Sequence, residues 1–206
     1  MNHPALAQPP DDSENCIGSG PLDRLAGLVI ERLVLSLDVA AAKYLNGGPI
    51  DDPIRERQIL ESMTRELNGF GPPQQIARQF LADQLEANKI VQRQLHQRWR
   101  EHPEEIPATR RSLSAEIRPD LDNITAQMIR EFAHMREVQH VRYSCIEDLV
   151  DAKLLVMTPS PDLQKVHRDA AVFALRSFVA ELHIFRVRRD PPAWEERAAG
   201  AWRENL

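Results

Sequence analysis

The sequence predicts an all-α fold, a single-domain helical bundle of about six helices, from three observations. Leu, Ala, Arg, Glu and Gln are abundant while aromatic residues make up only 5%, a composition that favours helix over sheet. Apolar residues recur at intervals of three and four, and no segment shows a strand pattern, an internal repeat or a heptad array. The 206 residues suffice for one sizeable core.

Three helices are predicted in the first half of the chain. The first runs from about Pro21 to Asn46, where the run NGGP at 46–49 is a strong stop. Asp52 fits the N-cap and Pro53 the first position of a second helix, which ends near 68–69. The third helix spans about 73–102 and carries apolar residues at helical spacing, namely Ile76, Phe80, Val91, Leu95 and Trp99.

The second half follows a proline-containing loop at 103–112. Ser114 is placed to cap a fourth helix that runs to about 143 and repeats apolar residues at three and four, namely Ile117, Leu121, Ile124, Met128 and Phe132. A fifth helix near 144–157 continues or bends from it, and the run TPSP at 158–161 breaks the chain. A sixth helix is expected over roughly 162–186.

These breaks define three segments of the chain. Residues 1–20 are expected to form a tail, 21–190 the helical domain and 191–206 a short tail helix. Trp194 and Trp202 share one side of that tail helix, and we favour packing on the chain's own core over binding a partner. The first 20 residues lack the apolar h-region of an intact signal peptide, although Ala5-Leu6-Ala7 resembles the end of one; a disordered tail is the simpler interpretation.

Charge and composition exclude several functions. The net charge of −5 and pI near 5.8 indicate no surface for nucleic acid or an anionic membrane. No stretch approaches the roughly 18 apolar residues of a membrane span. Cys16 and Cys145 are too few and too far apart for a disulfide framework or a metal site.

Two cations stand in the apolar stripe of the first helix. Arg32 and Lys43 are separated by eleven positions, about 1,100° of rotation and about 16 Å of rise, so they point to the same side. Because an unpaired buried cation is costly, each needs an anion from the protein or from a ligand. The alternatives are that both side chains reach solvent, or that they pair with carboxylates such as Glu56 or Glu61.

Other polar residues stand out in the second, third and fourth helices. Asn88 and Gln92 are four apart on the apolar side of the third helix, where buried amides need partners; a hydrogen bond between helices is the simpler explanation. Asp52, Arg55 and Glu56 lie in the first turn of the second helix, where free N–H groups favour anions. Arg118 opens the fourth helix and by itself would be a surface arginine.

These residues occur in three segments: RLVLSLDVAAAKY at 32–44, PIDDPIRE at 49–56 and DQLEANKIVQRQL at 83–95. Together the segments resemble the all-helical chorismate mutases, specifically the exported gamma class. The likeness is specific from about 25 to 99 and weaker to about 182. In that family an Arg and a Lys lie eleven apart, an Asp follows nine after the Lys and an Arg twelve after, and some members have Glu next. The matching residues are Arg32, Lys43, Asp52, Arg55 and Glu56.

The third and fourth helices extend the likeness with two departures. The family places Ser or Thr, then Gln or Glu, four apart where this chain has Asn88 and Gln92. In the gamma class a C-terminal half (here 113–187) folds back on the catalytic core (21–102) and completes the site with an arginine, matched by Arg118. Asn88 thus replaces a hydroxyl residue. Cys145 matches one cysteine of a disulfide that some members have, but Val179 stands at the other place.

The resemblance implies conversion of chorismate to prephenate by a concerted [3,3] rearrangement that needs no metal or cofactor, as part of Phe and Tyr biosynthesis. It assigns Lys43 and Gln92 as the catalytic donors to the breaking ether oxygen. The remaining residues would bind substrate: Arg32 and Arg118 the two carboxylates with help from Asn88, Asp52 and Glu56 the ring hydroxyl, and Arg55 the pocket wall. No H-E-x-x-H, Gly-rich phosphate loop or Ser-His-Asp signature suggests other chemistry.

The resemblance also implies a homodimer and a periplasmic or secreted location, although without an intact signal peptide a cytoplasmic location stays open. Two other functions remain open. One is an isochorismate pyruvate-lyase on the same scaffold, to which the long NGGPIDDP connection and the extended C-terminal half are less suited. The other is a non-catalytic helical interaction protein, in which the tryptophans of the tail bind a partner.

Overall fold

The computed structural model describes residues 20–66, 74–108, 111–134, 143–157, 165–176 and 179–180. These residues contain six α-helices and no strand, which confirms the predicted all-α fold. The helices are α1 (Pro21–Asn46), α2 (Pro53–Glu66), α3 (Gln74–Glu101), α4 (Arg118–His134), α5 (Tyr143–Met157) and α6 (165–176).

The connection between α1 and α2 has the predicted capping chemistry at both ends. Gly47 has a φ of 65°, and the N–H of Gly48 donates to the carbonyl oxygen of Lys43 at 2.8 Å, closing α1 in the left-handed conformation that glycine favours. At the start of α2, the N–H of Arg55 donates to Asp52 Oδ1 at 3.1 Å, and the N–H of Asp52 donates to Glu56 Oε1 at 3.3 Å. These two hydrogen bonds satisfy free N–H groups at the start of α2 and fix the direction in which it leaves the connection.

The start of the fourth helix differs from the prediction, because Ser112 and not Ser114 is the cap. The N–H of Ala115 donates to Ser112 Oγ at 3.2 Å, and the N–H of Ser112 donates to Glu116 Oε2 at 2.7 Å. One π-helical turn, Leu113–Ile117, then leads into regular helix at Arg118. The wider turn takes up additional residues, so the capping position moves upstream of where helical spacing predicts it.

The first helix is central, as its nearly continuous apolar sequence predicts. It packs against α3, α4 and α5, while α2 packs against α3 and α4. The largest fully buried side chains include Leu25, Ile30 and Leu33 of α1 and Phe80 and Trp99 of α3. Burial of each such side chain stabilises the fold by about 1.5–3 kcal/mol. The packing places α1 directly against α3 and α4, which carry Asn88, Gln92 and Arg118, and α2 reaches the site through its contacts with the same two helices.

Several predictions lie outside the described residues: the tail over 1–19, the end of the second helix near 68–69, the segments 135–142 and 158–164, and the tail helix with Trp194 and Trp202. The side chain of Cys145 is also outside them, whereas Val179 is buried. Among the helices that the structure describes, none has the length and hydropathy of a membrane span.

Candidate active site

Four helices line a cavity of about 90 Å³ that extends from the middle of α1 to its last turn. All eight residues singled out in the sequence line it: Arg32, Lys43, Asp52, Arg55, Glu56, Asn88, Gln92 and Arg118. The rest of the lining is mostly apolar, with one further carboxylate, and comprises Val39, Ile50, Ile59, Leu85, Leu113, Leu121 and Asp122. Four cations and three carboxylates therefore face the cavity, an excess of one positive charge that suits an anionic ligand.

Arg32 is a buried cation with one neutral partner. Its side chain is only 5% exposed, and its Nε donates to Thr125 Oγ1 at 3.3 Å. Within the described part of the chain no carboxylate forms an ion pair with Arg32, and its Nη1 has no hydrogen-bond partner. Burial lowers the pKa of Arg32 to about 10, against the opposing effect of Asp122. The guanidinium is thus desolvated at the cavity wall, and no described carboxylate pairs with its charge.

Lys43 lies in the last turn of α1, half-buried at the other end of the cavity. Its Nζ donates to the carbonyl oxygen of Ile50 at 2.7 Å. Burial lowers the pKa of Lys43, while the carboxylate of Asp52 acts in the opposite direction and the cation of Arg118 reinforces the lowering. The structure excludes one of the alternatives, since neither Arg32 nor Lys43 pairs with a described carboxylate such as Glu56 or Glu61.

The two remaining cations are paired at the cavity wall. Arg55 Nη2 lies 2.7 Å from both carboxylate oxygens of Asp122, which joins α2 to α4. This pair also lines a neighbouring cavity of about 180 Å³ between the two helices. Arg118 Nη2 lies 3.5 Å from Asp52 Oδ2, at the first turn of α2. Both guanidiniums are more exposed than Arg32 and are held by carboxylates at the rim.

The two amides of α3 are both buried, as predicted, but differ in their partners. Asn88 Oδ1 accepts a hydrogen bond from the hydroxyl of Ser36 on α1, and Asn88 Nδ2 donates to the carbonyl oxygen of Gln84 at 2.6 Å. Asn88 therefore makes the helix-to-helix hydrogen bond that the simpler explanation predicts. Gln92 Nε2 donates to the carbonyl oxygen of Asn88 at 3.2 Å. Each amide nitrogen carries a second N–H that these bonds do not use.

The carboxylate of Glu56 is engaged on both oxygens. Oε1 accepts from the N–H of Asp52, and Oε2 pairs with Lys89 Nζ at 3.1 Å. Lys89 is itself bound to Glu86 at 2.9 Å on the outer side of α3. This network fixes Glu56 against the cavity wall at the start of α2.

Three residues that orient the site were not identified from sequence: Ser36, Asp122 and Thr125. Ser36 and Thr125 are buried and hold Asn88 and Arg32, whereas Asp122 is exposed and holds Arg55. Ser36 and Thr125 could have been noticed in the sequence, because each is a small polar residue inside the apolar stripe of its helix. Nothing in the sequence distinguishes Asp122 from other surface residues, because exposed carboxylates are common on helices.

Comparisons with known proteins find relatives among the chorismate mutases. No family model matches the chain. A secreted chorismate mutase of Mycolicibacterium smegmatis is 28% identical over 160 residues, which cover 78% of this chain and 87% of that protein. A secreted chorismate mutase of Yersinia pestis is 25% identical over 108 residues, 52% of this chain and 57% of that protein.

Solved structures show the same likeness. The crystal structure of a chorismate mutase from Burkholderia phymatum matches with a TM-score of 0.68 and 26% identity, covering 77% of this chain and 95% of that one. That of Burkholderia thailandensis matches with a TM-score of 0.67 and 27% identity, covering 77% and 98%. The chain is therefore a homologue of the secreted chorismate mutases and shares the fold of the solved chorismate mutases.

Proposed function

We propose that the protein is a chorismate mutase, an isomerase that converts chorismate to prephenate by a [3,3] Claisen rearrangement in Phe and Tyr biosynthesis. One observation carries the proposal. Arg32 and Lys43, eleven positions apart on α1, line one cavity with Gln92 of α3 and Arg118 of α4. The identity of the substrate is inferred from the similarity to secreted chorismate mutases.

Substrate binding follows from the charge of the cavity. Chorismate is a dicarboxylate, and a guanidinium fork fixes both the position and the orientation of a carboxylate. In the proposal Arg32 and Arg118 hold the two carboxylates, with the free N–H of Asn88 assisting Arg32. The desolvated Arg32 has no charged partner of its own among the described residues, so a substrate carboxylate would offset part of its burial cost.

The chemical step requires no proton transfer. As the ether C–O bond breaks ahead of C–C formation, negative charge gathers on the oxygen, and Lys43 and the second N–H of Gln92 donate to it. Selection of the reactive conformer by the two arginines precedes this step. A gain of about a millionfold needs ~8 kcal/mol, which two preorganised donors at ~3–4 kcal/mol each would nearly supply.

The remaining residues complete the cavity wall in this proposal. Asp52 and Glu56 meet the ring hydroxyl from the first turn of α2, where the N–H of Asp52 donates to Glu56 and Lys89 pairs with Glu56. Arg55 lines the wall through its pair with Asp122. These residues orient the substrate, while the catalytic donors act on the breaking bond.

Export and homodimerisation belong to the same proposal. The relatives of M. smegmatis and Y. pestis are secreted, which supports a periplasmic or secreted location for this chain. The homodimer rests on the likeness to the gamma class. Light scattering after size-exclusion chromatography tests it: a mass near twice 23.5 kDa is expected, and a mass near 23.5 kDa would contradict it.

The activity is tested by incubating the pure protein separately with chorismate and with isochorismate and identifying the products. Prephenate from chorismate alone is expected. Salicylate and pyruvate from isochorismate, with chorismate unchanged, would instead identify a pyruvate-lyase. A fully helical protein that consumes neither substrate would indicate a non-catalytic interaction protein.

A further inference from the structure

We propose that Thr125 is a positioning residue that orients the guanidinium of Arg32, so that its Nη1 and Nη2 atoms face the substrate. The inference rests on the proposed function for the identity of the substrate. Thr125 lies on α4 and is 4% exposed; it lines the neighbouring cavity between α2 and α4 and not the site cavity, so its hydroxyl reaches the site through the bond to Arg32.

The hydroxyl of Thr125 can only accept a hydrogen bond from Arg32. Its proton is already committed, because Oγ1 donates to the carbonyl oxygen of Leu121 at 2.6 Å, one turn upstream on α4. That bond sets the rotamer of the hydroxyl and directs a lone pair to Arg32 Nε, 3.3 Å away.

Engagement of Nε selects how Arg32 can bind a carboxylate. A guanidinium offers two forks, one formed by Nε and one Nη atom and one formed by the two Nη atoms. With Nε held by Thr125, only the second fork is left, and its Nη1 atom is buried without a hydrogen-bond partner among the described residues. A carboxylate is therefore expected to meet Arg32 end-on.

Thr125 is also an uncharged partner, which leaves the positive charge of Arg32 available for binding an anion. Asp122 holds Arg55 with a full negative charge, whereas Thr125 holds Arg32 with a hydroxyl dipole. A hydroxyl fixes the plane of the guanidinium without cancelling its charge, so Arg32 retains its attraction for an anion. Thr125 follows Arg118 by seven positions, two helical turns on one face. The same face of α4 therefore carries Arg118 and the hydroxyl of Thr125 that orients Arg32.

The test compares Thr125→Val, which has the same shape without the hydroxyl, with Thr125→Ser, which keeps it. We expect Val to raise KM for chorismate about tenfold while kcat changes less than about threefold, and Ser to stay within about threefold of wild type in both. In an Arg32→Lys background, Thr125→Val should have no further effect on KM, because lysine has no fork to orient. Unchanged KM in the Val variant, or effects of the two substitutions that multiply, would overturn the inference.

A second measurement is independent of activity. The ¹H–¹⁵N resonance of Arg32 Nε, assigned by its loss in Arg32→Lys, should shift and exchange faster with solvent in Thr125→Val but not in Thr125→Ser. An unchanged resonance in the Val variant would overturn the inference even if the wild type is an active mutase. If the wild type does not turn over chorismate, the proposed function fails while this measurement still decides the orientation of Arg32. Thr125→Ala replaces the Val variant if the latter does not fold.

Discussion

Lys43 Nζ donates a 2.7 Å hydrogen bond to the carbonyl oxygen of Ile50, which ties the ammonium at the end of α1 to the segment that leads into α2. A backbone carbonyl holds an ammonium in place without neutralising it. Since an ammonium has three N–H donors, two remain for a ligand in the cavity. The short connection that ends α1 thus also positions the cation that we propose to act on the ether oxygen.

The first prediction concerns the fall of kcat/KM for chorismate at alkaline pH. Burial lowers the pKa of Lys43 from its usual 10.5 and that of Arg32 to about 10, so both lose their protons at lower pH than exposed residues do. We expect kcat/KM, which reports the free enzyme, to fall as pH rises, with a midpoint below 10.5. A profile that stays level through pH 10.5 would show that neither group must be charged.

The second prediction is that kcat does not depend on pH on the acidic side, because Gln92 is an amide. An amide donates at any pH, so kcat of the wild type is expected to vary little from about pH 5 to 8. In Gln92→Glu the carboxyl must be protonated to donate, and kcat should fall as pH rises through its pKa. Parallel kcat profiles of the two proteins test this. A sharp acidic optimum in the wild type, or a flat profile in the variant, would remove Gln92 from its donor role.

Replacing Arg32 by Met should stabilise the protein while it impairs binding. Because burial lowers the pKa of Arg32 to about 10, the charged form is disfavoured in the folded state. This cost is fully present below about pH 10 and is lost as pH rises towards the pKa of an exposed arginine. At pH 7 we expect the free energy of unfolding to rise by about 1–3 kcal/mol. KM for chorismate should rise at least tenfold, about 1.4 kcal/mol. Urea denaturation and steady-state kinetics measure the two effects, and lower stability of Arg32→Met would contradict the assignment.

The turn after α1 offers a matched pair of glycines. Gly47 has a φ of 65°, so Gly47→Ala should destabilise the protein by about 1 kcal/mol. A Cβ at Gly48 would make only ordinary contacts, 3.8 Å from atoms of Lys43, so Gly48→Ala is the control and should change stability much less. Thermal unfolding of both variants measures the difference. Equal losses of stability in the two variants would show that the positive φ of Gly47 is not what makes an alanine unfavourable in this turn.

Much of the fold and the shared side of Arg32 and Lys43 could be predicted from sequence because these signals are local, whereas Arg118 was identified through the resemblance to the chorismate mutases. The glycines and prolines at 46–53 fix the end of α1 and the start of α2, and helical spacing places Arg32 and Lys43 on one side. The cap of the fourth helix was predicted wrongly, at Ser114 and not Ser112, because a π-helical turn departs from the regular period.

The partners of the site residues could not be predicted, since they depend on contacts between helices. Thr125 lies 93 positions from Arg32 and Asp122 lies 67 positions from Arg55. A threonine within an apolar stripe is commonly satisfied by the carbonyl of its own helix, as Thr125 is by Leu121, so its residue type does not reveal a second partner. Only the packing of α4 against α1 and α2 identifies these pairs.

The most direct test is the turnover of chorismate by Lys43→Met. Lys153 on α5 provides the control, because it is also half-buried and donates to Asp23 at 2.8 Å, but lies outside the cavity lining. We predict that Lys43→Met lowers kcat by roughly 10²–10³ with an unchanged circular dichroism spectrum, whereas Lys153→Met keeps near-normal kcat. Near-normal kcat in folded Lys43→Met would contradict the claim that this ammonium stabilises the breaking ether oxygen.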